Sequence, residues 1–188
     1  MALVVITGAP GAGKTTLLQA LAERGYAIVG DTPRSIIQDR VRRGLSPRPE
    51  PRAFAEETLR IDTDNYARHA ASPGHVFFER GVVDALCSVN RAARLGEREL
   101  DAHLAKYRYF PTVFVLPPWR AIYVTDAERD HTFAHAEHVD AITQAWYRRC
   151  GYEVLEVPPA SVDERCAFVL DVLASSAAAH APGAEPRQ

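Results

Sequence analysis

Eight residues constrain this chain more than any others: Gly8-Ala9-Pro10-Gly11-Ala12-Gly13-Lys14-Thr15 satisfies the pattern G-x-x-x-x-G-K-[ST] in full. The flanks agree with it. Leu3–Thr7 is a short apolar run, as in a strand buried on both faces. After the loop, Leu17, Leu18 and Leu21 recur at helical spacing, and Gly25 closes that helix. Strand, glycine-rich turn and helix N-terminus in that order make a phosphate cradle. Gly8, Gly11 and Gly13 permit positive φ and close backbone approach. The loop amides face inward as an anion nest, and the helix dipole adds to them. The run from Gly8 through Thr16 is therefore expected to hold a nucleoside triphosphate. Lys14 reaches the β- and γ-phosphates, the Thr15 hydroxyl ligates Mg2+, and Thr16 donates to the α-phosphate.

The remaining pattern alternates strands and helices. Strands are expected at Tyr26–Val29, His75–Glu79, Thr112–Leu116 and Tyr152–Val157. Helices are expected from Pro33 to Gly44, then over Ala53–Ala71, Val82–Leu95, Glu97–Lys106, Ala127–Cys150 and Val162–Ser175. Phe54, Leu59 and Tyr66 are core candidates of the Ala53–Ala71 helix. The proline-rich Leu45–Arg52 reads as a loop. This order predicts an α/β fold, a parallel sheet covered on both faces with right-handed crossovers. Ligands in such sheets sit beyond the carboxyl ends of the strands, here Thr7, Asp31, Glu79 and Leu116. The length of 188 residues fits one domain, expected over 1–175. Residues 176–188 are Ala, Pro, Gly and polar, and are expected to form a frayed or disordered tail.

Composition removes several functions. A formal charge of −2, with acids and bases mixed, argues against nucleic-acid or membrane-surface binding. No signal peptide or membrane span is seen, so the expected location is cytoplasmic. The three cysteines, Cys87, Cys150 and Cys166, form no CxxC pair and read as reduced core thiols. His131, His135 and His138 share a helix face, but no fourth zinc ligand accompanies them. Oligomeric state is not legible.

Charged residues near the expected strand ends complete a candidate site. Glu79 ends an apolar run and is the first candidate for the magnesium shell, with an ordinary strand-end acid as the alternative. Arg80 can touch a phosphate or lock Glu79, and Asp84, one helical turn on, can face the same cleft. Asp31 can hold a magnesium-bound water or accept a proton from an attacking hydroxyl. It can equally be the N-cap of the helix opening at Pro33. Arg34 would pair with a substrate anion. In Asp126-Ala127-Glu128-Arg129, Arg129 is a candidate lid cation, against an ordinary acidic helix start. Trp119 can flank a base or an acceptor, or simply pack.

The chain resembles the small P-loop ATPase/kinase family, often labelled AAA-type, that includes the nicotinamide-riboside kinase domain of NadR. The carriers are Ile6–Thr16, Asp31 with Arg34, Phe77-Phe78-Glu79-Arg80-Gly81 with Asp84, Leu116-Pro117-Pro118-Trp119, Ile122-Tyr123 with Asp126 and Arg129, and Gly151-Tyr152 to Pro158. The resemblance implies a three-layer P-loop NTPase fold of nucleoside-monophosphate-kinase type, with a five-stranded parallel sheet in the order 2-3-1-4-5. It also implies a mobile lid near Asp126–Arg129. In such proteins the strand-two acid is usually Glu and the strand-three acid usually Asp. Here they are Asp31 and Glu79, which leaves their division of labour open.

The expected activity is transfer of the γ-phosphate of ATP, with Mg2+, to a hydroxyl of a small molecule. Lys14 and Arg129 would neutralise charge, and Asp31 would orient or deprotonate the acceptor. The alternative is a nucleotide-dependent switch, an ATPase or GTPase acting through a protein partner. No Asn-Lys-x-Asp guanine-reading motif is present, which favours ATP. Acceptor contacts are expected from Arg34–Tyr66 and Asp84–Tyr109.

Overall fold

The computed structural model describes residues 2–122 and 132–179. Five strands, β1 (Leu3–Gly8), β2 (Ala27–Val29), β3 (Val76–Glu79), β4 (Thr112–Leu116) and β5 (Glu153–Glu156), form one sheet. Its order is β2-β3-β1-β4-β5, and every pair is parallel. This is the 2-3-1-4-5 arrangement expected above. Among the described residues, seven α-helices connect and cover the sheet: α1 (Lys14–Glu23), α2 (Thr32–Arg42), α3 (Pro51–His69), α4 (Val82–Ala93), α5 (Glu97–Lys106), α6 (Phe133–Arg149) and α7 (Val162–Ala179).

The two faces of the sheet bury different sets of side chains, as the period of two requires. Val4, Ile6, Phe77 and Phe114 pack on Leu17, Leu18 and Leu21 of α1 and on Val169 and Leu173 of α7. Val5, Phe78, Val113 and Val115 pack on Val83 and Leu86 of α4, Leu100 of α5, and Trp146 and Tyr147 of α6. Pairing of Ile6 with both Glu79 and Phe114 brings the carboxyl ends of β1, β3 and β4 to one edge.

The structure departs from the sequence expectation at α3 and at α7. Helix α3 begins at Pro51, inside the expected loop, because Pro suits the first turn and Glu50 caps it by accepting from the amides of Arg52 and Ala53. Its buried positions are Ala55, Thr58 and Asp62, while Phe54, Leu59 and Tyr66 are half-buried. Helix α7 runs to Ala179, so residues 176–179 are helical rather than tail. The expected lid residues Asp126 and Arg129 lie outside the described residues, as does 180–188. Among the described residues, no helix is long and apolar enough to cross a membrane.

Candidate active site

The loop between β1 and α1 is forced by its neighbours. At Gly8, φ is 128°, and a Cβ there would lie 2.2 Å from the carbonyl oxygen of Leu116 on β4. Only glycine lets the loop leave the sheet this close to the adjacent strand. At Gly13, φ is 84°, and α1 begins at the next residue. Its first turn contains no acidic residue of its own, and its free amides form a dipole end suited to an anion.

Lys14 is 5% exposed, and its Nζ donates to the carbonyls of Gly8 (3.0 Å) and Ala9 (2.8 Å). Burial, with Arg80 nearby, lowers its pKa to about 8 against the opposing pull of Glu79, Asp31 and Asp84. A phosphate group is the kind of partner that restores such a charge. Thr16 is exposed at the start of α1.

Glu79, at the end of β3, is 6% exposed and faces Thr15. The Thr15 hydroxyl lies within hydrogen-bonding reach of both carboxylate oxygens, at 3.1 and 3.0 Å. Burial raises the Glu79 pKa, and Lys14 opposes the shift. A hydroxyl beside a carboxylate at the mouth of a phosphate loop is a hard-oxygen pair of the type magnesium takes. Among the described residues there is no His, Cys, Asp and Glu cluster that would hold a metal alone; His135 and His138 are exposed, and His131 lies outside the described residues. Such a pair suits a metal that keeps waters and shares phosphate oxygens.

Arg80 follows in the left-handed region, φ 65°, a conformation rare outside glycine. Strain of this kind gathers at functional sites. Burial alone would lower the Arg80 pKa, but Asp31, Asp84 and Glu79 outweigh it and hold the value up. Its Nη1 lies 3.8 Å from Asp31 Oδ1. Asp31 occupies the N-cap position of α2 but makes no capping hydrogen bond, and its Oδ1 is buried without a hydrogen-bond partner among the described residues. The capping alternative therefore does not describe its side chain. Arg34 sits half-buried in the same first turn.

Asp84 joins three elements. It accepts from Thr7 Oγ1 of β1 (2.6 Å), Tyr147 Oη of α6 (2.5 Å) and the amide of Gly81 (3.1 Å). Burial raises its pKa, and Arg80 and these donors oppose that. Asp84 also lines a cavity of about 110 Å³ that abuts Gly8 and Arg80. Helices α3, α4 and α6 wall this cavity with Asp62, Arg91 and Trp146 among others.

Sequence reasoning missed two parts of this cavity. One is the α6 wall, whose place follows from packing across the sheet. The other is the individual residue Asp62, inside the expected acceptor segment Arg34–Tyr66 but not singled out there; it is 6% exposed and accepts a hydrogen bond from Thr32 Oγ1, next to Asp31. Burial raises its pKa to about 7. An acid at helical spacing with Ala55 and Thr58 was the available signal: small and polar residues, rather than large apolar ones, mark the stripe that faces a cavity.

The AAA domain family model matches residues 3–165. A nucleotide-binding protein of Granulibacter bethesdensis is 49% identical over 45 residues, a stretch covering 24% of this chain and only 14% of that protein. Deoxyadenosine kinase from M. mycoides, solved with bound dATP, superposes with a TM-score of 0.58 at 13% identity, covering 91% of this chain and 98% of that one. Thymidylate kinase from Ehrlichia chaffeensis gives 0.58 at 13% identity, covering 92% and 100%. Shikimate kinase from Acinetobacter baumannii, in complex with shikimate, gives 0.53 at 15% identity, covering 94% of each chain. At these identities the likeness is one of fold.

Proposed function

We propose, for a chain that belongs to the AAA domain family, an ATP- and Mg2+-dependent phosphotransferase acting on a hydroxyl of a small molecule. One observation carries this reading. A cavity is lined both by Gly8 of the phosphate loop and by Arg80 after β3, and the Asp31 carboxylate turns toward Arg80 instead of capping α2. A switch protein needs the loop but not the cavity. The likeness in fold to kinases of nucleosides, nucleotides and shikimate agrees with it.

In this reading the amides of Gly8–Thr16 and Lys14 hold the triphosphate. Thr15 and Glu79 would hold magnesium, which supplies charge neutralisation on the β- and γ-phosphates. Asp31 accepts the proton of the acceptor hydroxyl as its oxygen bonds to the γ-phosphorus and ADP departs. Arg80 pairs with Asp31 and keeps it aimed. Asp84 fixes the cavity wall through Thr7 and Tyr147, with Asp62 opposite. Arg129 is proposed as a further cation on the transferring group, and Arg34 as a contact to an anionic part of the acceptor. The reaction is assigned to the cytoplasm, where ATP and Mg2+ are both at hand.

The test is incubation with ATP, Mg2+ and a panel of nucleosides, sugars and small hydroxy acids, followed by mass spectrometry of the products. The expected result is ADP in step with one phosphorylated acceptor. ADP released at the same rate with no acceptor would favour a stand-alone ATPase.

A further inference from the structure

A second cavity, of about 350 Å³, lies at the amino ends of β4 and β5, away from the phosphate loop. One wall is the end of α5 and the turn after it. Asp101, Leu104, Ala105 and Arg108 all line the cavity, at the i, i+3, i+4 and i+7 spacing of a single stripe. The stripe carries a carboxylate at one end, a guanidinium at the other and apolar surface between. Both charged residues are exposed, and among the described residues neither side chain makes an ion pair or a hydrogen bond. Tyr109 and Tyr152 line the cavity from the segments that lead into the two strands.

The two tyrosines also reach the other end of the sheet. Tyr109 is 7% exposed, its ring set edge-to-face against Tyr66 and Phe78 at 5.2 and 5.4 Å between centroids. Its hydroxyl accepts from the amide of Val82 (3.3 Å) and stands 2.7 Å from where a Cβ on Gly81 would lie. It therefore props the turn between Arg80, with its left-handed backbone, and Asp84. The Tyr152 hydroxyl accepts from the amide of Tyr109 (3.4 Å), and its ring meets Tyr147 edge-to-face at 5.6 Å. Tyr147 in turn donates to Asp84. Two rings that line the cavity thus bear on Asp84 by separate routes, one through Gly81, whose amide Asp84 accepts, and one through Tyr147.

We infer that this cavity is a second ligand site, for a free α-amino acid with an aromatic side chain, and that its occupancy is felt at Arg80 and Asp84. Asp101 takes the ammonium and Arg108 the carboxylate, as charge-assisted hydrogen bonds to one molecule. Leu104 and the two tyrosines offer aliphatic and ring surface to the side chain. A phosphate would leave Asp101 facing like charge, and an uncharged apolar molecule would use neither charged group. The volume stands near the small end for ligand cavities, as a molecule of this size requires. A close-packed ring such as Tyr109 cannot shift without carrying its hydroxyl along, and this links the two sites. The amino-acid site stands apart from the phosphotransferase reading; its coupling rests on that reading.

The experiment titrates the full chain by calorimetry with phenylalanine and tryptophan, with 3-phenylpropionate, which lacks the ammonium, and with phenethylamine, which lacks the carboxylate. Wild type, Asp101→Asn, Arg108→Gln and Tyr109→Phe are compared, with thermal unfolding of each. The expected result is binding of phenylalanine or tryptophan at about 1 mM or tighter, weakened about tenfold by either charge substitution. 3-Phenylpropionate should be indifferent to Asp101→Asn, and phenethylamine to Arg108→Gln, each within about twofold. ATP with Mg2+ is then titrated with and without the tighter amino acid at saturation. ATP affinity should change by about threefold or more, and amino-acid affinity by the same factor. Tyr109→Phe keeps the ring and loses the hydroxyl, so it should bind the amino acid within about twofold of wild type and lose the coupling. No binding of either amino acid at about 10 mM overturns the inference. So does binding that neither charge substitution weakens, and so does an ATP affinity that the bound amino acid leaves unmoved. Asp101 and Arg108 are exposed, so their variants decide the site even if Tyr109→Phe does not fold. Wild type that binds no ATP overturns the phosphate-loop reading and the coupling with it, while the amino-acid titrations still decide the site.

Discussion

The Thr15 hydroxyl stands 3.1 and 3.0 Å from the two carboxylate oxygens of Glu79, linking the first turn of α1 to the end of β3. A hydroxyl beside both oxygens of one acid is an oxygen set that would hold a hard cation such as magnesium. Glu79→Gln keeps the hydrogen bond and removes the charge. The expected outcome is nucleotide affinity in magnesium-free buffer within about threefold of wild type, with phosphoryl transfer reduced by about 100-fold or more. Binding titrations with and without Mg2+, beside a coupled ADP assay, check it.

Lys14→Ala should reduce ATP affinity by about 100-fold, since it removes the cation of the cradle. It should leave the melting temperature unchanged or higher, because the buried ammonium costs stability that an alanine does not. The pKa lowered to about 8 signals that cost. Calorimetry and thermal unfolding of the same sample separate the two effects.

Asp31→Asn addresses the acceptor. Its side chain makes no capping hydrogen bond, so any stability change comes from the lost charge beside Arg80 and not from a lost N-cap. ATP binding should remain near normal while transfer falls by about 100-fold or more. A variant with full transfer activity would remove Asp31 from the reaction.

Asp62 gives a pH signature. Its folded pKa, about 7, is raised from 3.8 by burial, so the folded state holds the proton more tightly than the unfolded chain. The stability this contributes is fully present below about pH 4 and is lost as pH rises through about 7. Asp62→Asn cannot ionise. Denaturant unfolding from pH 5 to 8 should show wild type losing stability relative to Asp62→Asn, by on the order of 1 kcal/mol or more. A constant difference across that range would contradict the assignment.

Gly8→Ala should be among the most damaging single substitutions, costing on the order of 3 kcal/mol or more. The added Cβ would meet the Leu116 carbonyl at 2.2 Å, with φ at 128°. Circular dichroism melts of the variant check it.

Local signals in the sequence were strong where chemistry and geometry coincide in a short window. The phosphate loop, β4 and α5 lie where apolar runs and glycines put them, because each is set by neighbours in sequence. The strand order was not contained in any spacing; it came with the family resemblance, and the parallel pairing agrees. What stayed hidden depends on contacts between distant segments. Asp84 could be placed near the cleft from its turn in α4, but its bonds to Thr7 and Tyr147 span 77 and 63 residues. Asp62 looked like one more surface acid on a charged helix. Arg165 read as part of an ordinary final helix, since nothing local says that its guanidinium rests against Gly13. Asp31 was ambiguous for the opposite reason: two local roles fitted one residue, and only the direction of its side chain separates them.

Lys14, folded back onto the carbonyls of Gly8 and Ala9, gives the loop an internal latch. Any ligand must offer oxygens good enough to replace two carbonyls before the lysine lets go. Short anions that reach only the amides leave the latch shut, and so gain little from the strongest charge in the loop. The loop thereby counts phosphates: a monophosphate or sulfate should slip out quickly, and residence should lengthen sharply once a ligand is long enough to open the latch.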